Sequence, residues 1–315
     1  MTTPPAQLPT PASRPEPEAS GPLRADSVAD SAGGLTFDID LALSDPADWN
    51  AALVLRLRGD AEGADEVRLP LSPAGERRVR AVLPSTVALP EGRWDVYVAV
   101  GDERPRRLAP GLNDLRSLVD RRPGPSLSPL AVCIPYTTKH GNLSLRSWLR
   151  APHVEAGELR VADGTLTGRG RLYRVERPVA WLTGAVVWAR LRRDPSVEHE
   201  VPVTADCADF GFSLAYADLA AHWDGGQDVW DLWLARADGG EEGEGQAAEG
   251  ASAETAPADR SPATRVRIAR ILDDVVDKKP VFAYPALSLG TDRGTVRVTP
   301  YYTADNDLSV RVEGA

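Results

Sequence analysis

The chain has 315 residues, 42% of them hydrophobic and 26% charged, with 36 Lys and Arg against 46 Asp and Glu for a formal charge of -10. That length has room for two domains of about 110 to 140 residues, each large enough to bury its own core. The charge balance argues against a nucleic-acid footprint, no apolar run approaches the roughly 20 residues that span a bilayer, and two cysteines without a CxxC point to neither zinc ligation nor an oxidising compartment.

Taken in chain order, residues 1–33 are rich in Pro, Ala, Ser and Glu and poor in large apolar types. They cannot bury enough surface to offset ordering entropy, which predicts a disordered tail. The tail lacks the basic start and apolar core of a secretory signal, so the expectation is a cytoplasmic protein. From 34 to 149, apolar residues alternate with period two, as in Leu53, Leu55, Leu57 and again in Val96, Val98, Val100. The runs are separated by turn clusters such as LSPAGE, LPEGRW and TKHGN, the pattern of an all-β sandwich. Residues 150–156 read as a linker, and 157–315 repeat the alternation. Within that second stretch, 238–263 is acidic and low in complexity, predicting a disordered loop. From Asp238 to Arg260 it holds seven acidic residues and one Arg, and the stretch up to Gly34 holds four acids and two Arg, so only about -2 of the total charge remains on the folded body. Two segments, DLRSLVD (114–120) and ILDDVVD (271–277), have helix-like spacing but are each followed by a basic pair and a proline, which favours strand ends or short turns.

The two halves are copies. WDVYVAV at Trp94 answers WDLWLAR at Trp230, LRSLVDRRP ending at Pro123 answers LDDVVDKKP ending at Pro280, and IPYTTKHGNLSLR (134–146) lies on TPYYTADNDLSVR (299–311) without a gap. Weaker pairings upstream, VRLPL with EVPV and RVRAVL with DFGFSL, extend the duplication over whole domains. The fold expectation is therefore two tandem immunoglobulin-like β-sandwiches.

Candidate chemistry is sparse. His140, His153, His199 and His222 stand in separate turns or linkers without metal-ligand spacing, so no metal or cofactor is expected. His140 has Lys139 beside it, but its counterpart is Asp305, and Gly141 and Asn306 are the residue types that a turn with positive φ needs. Asp95 and Asp231 follow the matching tryptophans, and no spacing marks them as a catalytic pair. No nucleophile elbow, phosphate-cradling glycine loop or nucleotide fingerprint is present, and the expectation leans away from an enzyme. Trp94 and Trp230 read as core tryptophans between sheets. Trp230 and Trp233, three apart on a strand, face opposite ways, so Trp233 joins Trp181, Trp188 and Trp223 as a contact surface of flat rings. The paired loops add Thr137, Lys139, His140 and Asn142 from one copy, and Thr303, Asp305 and Asn306 from the other.

RWDVYV, LNDLRSLVDR and YTTKHGNLSLRSWLRAPH together resemble short actinobacterial transferase-type proteins and the β-sandwich regions appended to teichoic-acid-type glycosyl- and glycerophosphotransferases. The catalytic nucleotide-binding core of that family has no counterpart in this chain, so no catalytic residue carries over. The resemblance implies a non-catalytic accessory module of cell-wall or surface-glycopolymer assembly, on the cytoplasmic side and at the membrane through a partner. It would bind a glycopolymer or dock a glycosyl- or glycerophosphotransferase. The alternatives are a transferase with an unrecognised site between the copies, and a protein-binding scaffold.

Overall fold

A computed structural model describes residues 21–41, 50–59, 65–75, 77–236 and 265–315; the expected acidic loop 238–263 and residues 1–20 of the expected tail lie outside them. The first copy is built from β1 (Arg24–Ala29), β2 (Leu35–Asp40), β3 (Ala52–Leu57), β4 (Glu66–Pro70), β5 (Ser72–Pro73), β6 (Arg78–Leu83), β7 (Gly92–Ala99), β8 (Arg106–Arg107), β9 (Ala109–Asp114), β10 (Leu130–Thr137) and β11 (Leu143–Arg150). The second continues with β12 (His153–Ala162), β13 (Thr165–Tyr173), the short helix α1 (Pro178–Leu182), β14 (Val186–Leu191), β15 (Glu198–Pro202), β16 (Thr204–Asp206) and β17 (Asp209–Ala215). It ends with the short helix α2 (Tyr216–Ala220), β18 (Gln227–Ala235), β19 (Arg265–Ala269), β20 (Leu287–Thr291), β21 (Gly294–Tyr302) and β22 (Leu308–Gly314). The chain is all-β, as its period-two patterning requires: β6 alternates exposed and buried residues along its whole length.

The strand pairings of the two halves correspond. β1 lies antiparallel to β2 and parallel to β9; β12 lies antiparallel to β13 and parallel to β19. β7 sits between β3 and β11 as β18 sits between β14 and β22, and the hairpins β10–β11 and β21–β22 close each copy. One difference follows from continuity. β19 is a single strand that pairs with both β12 and β18, joining the second copy into one 11-stranded sheet, whereas the first copy splits the equivalent segment into β8 and β9 and keeps sheets of 5 and 6 strands. Trp94 and Trp230 fill the two cores at 1% and 0% exposure.

Two expected boundaries are corrected. The tail placed at 1–33 contains β1, which carries Ala25, Ser27 and Ala29 inward. Side chains that small leave no hydrophobic signal in the sequence, and the strand is held by hydrogen bonds to β2 and β9. The linker placed at 150–156 is taken up by β11 and β12, leaving Ala151 and Pro152 between them. The copies abut directly: Tyr173, Ile271 and Leu272 of the second pack into the core of the first. β11 accordingly loses its alternation and is buried from Leu143 through Trp148. Arg146 reaches Asp305 at 2.8 Å, and Arg150 reaches Asp307 at 3.1 Å, across the joint.

Candidate functional site

Asp95 lies on β7 directly opposite Ser144 of β11 on one side and Arg56 of β3 on the other. Its carboxylate accepts from Arg58 Nη2 at 2.6 Å, Arg107 Nη2 at 3.2 Å and Ser144 Oγ at 3.0 Å. The second copy rebuilds the same quartet. Asp231 accepts from Arg192 Nη2 at 2.6 Å, Arg267 Nη2 at 3.2 Å and Ser309 Oγ at 2.8 Å. Burial would push both carboxyls up, but the arginine hydrogen bonds and charges together with the serine hydroxyl hold Asp95 and Asp231 below the ordinary aspartate value.

The quartets are structural. The two arginines on each carboxylate weaken it as a base toward the serine hydroxyl, and Ser144 and Ser309 are both 0% exposed. Each quartet ties β7 to β11, or β18 to β22, in the interior of its sheet.

What surrounds the quartets differs. In the first copy Arg58, Arg93, Asp95, Arg107 and Tyr136 join the turn residues Thr137, Thr138, Lys139, His140 and Asn142 around an open hollow of about 560 Å³. The turn is closed by Thr138, whose backbone N–H donates to Asn142 O at 2.9 Å and whose Oγ1 accepts from the Asn142 N–H at 3.1 Å, with Gly141 at φ 76°. Arg58 and Arg107 are engaged by Asp95, while Arg93 and Lys139 are exposed and form no ion pair with any described residue. In the second copy the turn has the same shape, with Thr303 in place of Thr138 and Asn306 at φ 63° in place of Gly141, but its chemistry is inverted. Val229 stands for Arg93, Ala304 for Lys139, Asp305 for His140 and Asp307 for Asn142. The two aspartates face inward to the joint, where they hold Arg146 and Arg150.

The residues expected on a contact surface divide accordingly. Thr137, Lys139, His140 and Asn142 come together in the hollow. Asp305 is exposed but engaged by Arg146. Asn306 is fully buried, its Oδ1 accepting from the Lys278 N–H at 3.1 Å and its Nδ2 donating to Val276 O at 3.1 Å. Thr303 caps its own turn.

Three of the four rings expected on an aromatic surface are buried instead. Trp181, Trp188 and Trp223 are 5%, 2% and 8% exposed. Trp233 does face away from Trp230, as its spacing requires, but it pairs in register with Trp188 and carries Arg267 over its ring at 5.1 Å. Trp188 is covered by Arg265 at 3.9 Å and donates its Nε1–H to Glu198 at 2.9 Å. Long arginine stems cover rings that pattern alone leaves open.

The residues that sequence reasoning missed are Arg58, Arg93, Arg107 and Ser144. Their signal was present in part, since Asp95 and Ser144 already align with Asp231 and Ser309. A second hollow of about 930 Å³ lies at the joint, lined by Asp120, Arg121 and Arg122 of the first copy and by Glu155, Tyr173 and Arg270 of the second among others. Its most buried carboxylate, Glu155, accepts from the N–H groups of Ile271 and Leu272 and from His153. Among the described residues no His, Cys, Asp and Glu side chains gather as a metal site, and no helix is long and apolar enough to cross a membrane.

No protein-family model matches the chain, and no curated protein does. Among solved structures it is similar to the 217-571 fragment of S. aureus TarS, at 14% identity and a TM-score of 0.29, covering 62% of this chain. The chain spans 56% of that fragment. It is also similar to the FN1–FN3 domains of chicken CNTN1, at 9% identity and a TM-score of 0.17, covering 68% of this chain and 59% of that one.

Proposed function

We propose that the chain is a non-catalytic accessory module of surface-glycopolymer assembly, acting on the cytoplasmic side and recognising its ligand through the hollow of the first copy. The observation that carries this reading is the hollow itself. It gathers hydroxyl, amide, imidazole and unpaired cationic groups on a hairpin, beside a hydroxyl and carboxylate held in a quartet that the second copy repeats with Val229 and Ala304 in place of Arg93 and Lys139. Convergent polar groups on a fixed scaffold suit binding. The sequence resemblance to the β-sandwich regions of glycosyl- and glycerophosphotransferases supplies the glycopolymer context.

A transferase site between the copies is the weaker reading, because Glu155 there is consumed by backbone amides and His153, and Arg171 and Arg270 by Asp209 and Asp273. The test is a pull-down of the tagged full chain from its own cells, with glycan analysis and mass spectrometry of the eluate. Glycopolymer recovered by the native chain and lost when Thr137 and Asn142 are both changed to alanine supports the reading. Recovery undiminished by those changes overturns it, and recovery of a transferase alone moves the function to docking.

A further inference from the structure

We infer that the ligand group taken by the first-copy hollow is a phosphate anion, and that the equivalent place in the second copy takes none. This rests on the hollow being a recognition site and adds the chemistry of its ligand.

The charge count around the two quartets separates the copies. In the first, Arg58, Arg93, Arg107 and Lys139 face one carboxylate, Asp95. In the second, Arg192 and Arg267, with Arg146 and Arg150 reaching across the joint, face three carboxylates, Asp231, Asp305 and Asp307, and each of these four arginines has a carboxylate partner. The duplicated quartet needs two arginines for its carboxylate and no more. The additional cations of the first copy, Arg93 and Lys139, are not explained by the fold. Arg93 is moreover set near Arg146, a like charge whose own ionisation it disfavours. An exposed arginine and lysine converging on a hollow without a carboxylate partner are matched by an anion from solution.

The donor set favours phosphate over carboxylate. Arginine presents a planar fork and lysine a mobile point charge, and their combination suits a tetrahedral anion with several acceptor oxygens. The Thr137 hydroxyl and the Asn142 amide stand in the same hollow as further donors. At about 560 Å³ and open to solvent, the space exceeds one phosphate and admits the substituents on either side of a phosphodiester. The shared chemistry is the phosphate oxygen shell, whether free or esterified.

The test is calorimetric titration of the full chain with inorganic phosphate and, separately, with glycerol 3-phosphate and neutral dextran, at two ionic strengths. Both phosphates are expected to bind more weakly as salt rises, with dextran silent. Arg93→Gln and Lys139→Gln are each expected to weaken phosphate binding by about tenfold. Both positions are exposed, so the variants are expected to unfold with the native midpoint. Val229→Arg combined with Ala304→Lys, Asp305→His and Asp307→Asn, which copies both additional cations and the first turn onto the second, is expected to create a second phosphate site. Phosphate binding that Arg93→Gln and Lys139→Gln leave unchanged overturns the inference, as does no phosphate binding at all. If phosphate does not bind while glycopolymer recovery still depends on Thr137 and Asn142, the recognition reading survives and only its anionic ligand is lost. Glycerol 3-phosphate binding more tightly than inorganic phosphate identifies the esterified source, and the reverse order the free ion.

Discussion

Replacing Asp95 by asparagine is expected to lower stability and raise phosphate affinity together, while the same change at Asp231 lowers stability alone. Asp95 accepts hydrogen bonds from two guanidinium groups and one buried hydroxyl, with its side chain 23% exposed. Asparagine keeps an acceptor of similar shape but removes the charge, turning charge-assisted bonds worth roughly 1.5–3 kcal/mol each into neutral ones worth about 1. With partial solvent screening, the net loss is about 2 kcal/mol. The quartet at Asp231 has matching distances, so its loss is expected to agree within about 1 kcal/mol. In the first hollow the change also removes the only carboxylate among the described lining residues and releases Arg58 and Arg107 to an incoming anion. At separations of several ångströms near the surface, one fewer negative charge is worth about 1 kcal/mol, or three- to tenfold in affinity. Urea denaturation gives the first quantity, and phosphate titration of the native state the second. Weaker phosphate binding in Asp95→Asn would refute the reasoning, since Asp95 would then be aiming the arginines rather than opposing the ligand. A strengthening of equal size in Asp231→Asn would refute it as well.

Acid should act on both quartets. Asp95 and Asp231 ionise below their unfolded value, so their contribution to stability is fully present above about pH 4 and is lost as pH falls through the lower folded value. The urea midpoint is therefore expected to drop steeply below about pH 4, and less so in the Asp95→Asn, Asp231→Asn double variant. Lys278, fully buried, donates its Nζ to Asp273 and to Val275 O, and burial lowers its ionisation although Asp273 opposes the shift. Lys278→Met removes one of the two cations on Asp273, which keeps its ion pair with Arg270 and the Val275 N–H, and is expected to cost about 1–3 kcal/mol, measured by denaturant melts. Arg150 and Asp307 span the joint at 3.1 Å with both side chains about one-fifth exposed. A double-mutant cycle with Arg150→Ala and Asp307→Ala is expected to return a coupling of about 1 kcal/mol; a value near zero would mean that this pair contributes nothing to holding the copies together.

Sequence alone determined the all-β class and an alignment of the two halves whose strand pairings correspond, because period-two alternation and self-similarity are properties of neighbours along the chain. Trp94 and Trp230, the turns at Gly141 and Asn306, and the pairing of Asp95 with Asp231 all stand where the repeat puts them. The strand from Arg24 to Ala29 escaped this reading because its buried side chains are alanine and serine, and its stability comes from hydrogen bonds to residues some 10 and 85 positions away. The fate of the tryptophans was likewise settled in three dimensions. Whether a ring on a strand's outer face meets solvent depends on which distant arginine folds over it, as Arg265 does over Trp188. The hollow needed the tertiary structure most, since Arg58, Arg93, Arg107 and Lys139 come from four separate stretches that only the pairing of β3, β7, β8 and β11 brings together. Charge in a site is a sum over space, and that sum separates two copies whose alignment otherwise marks them as alike.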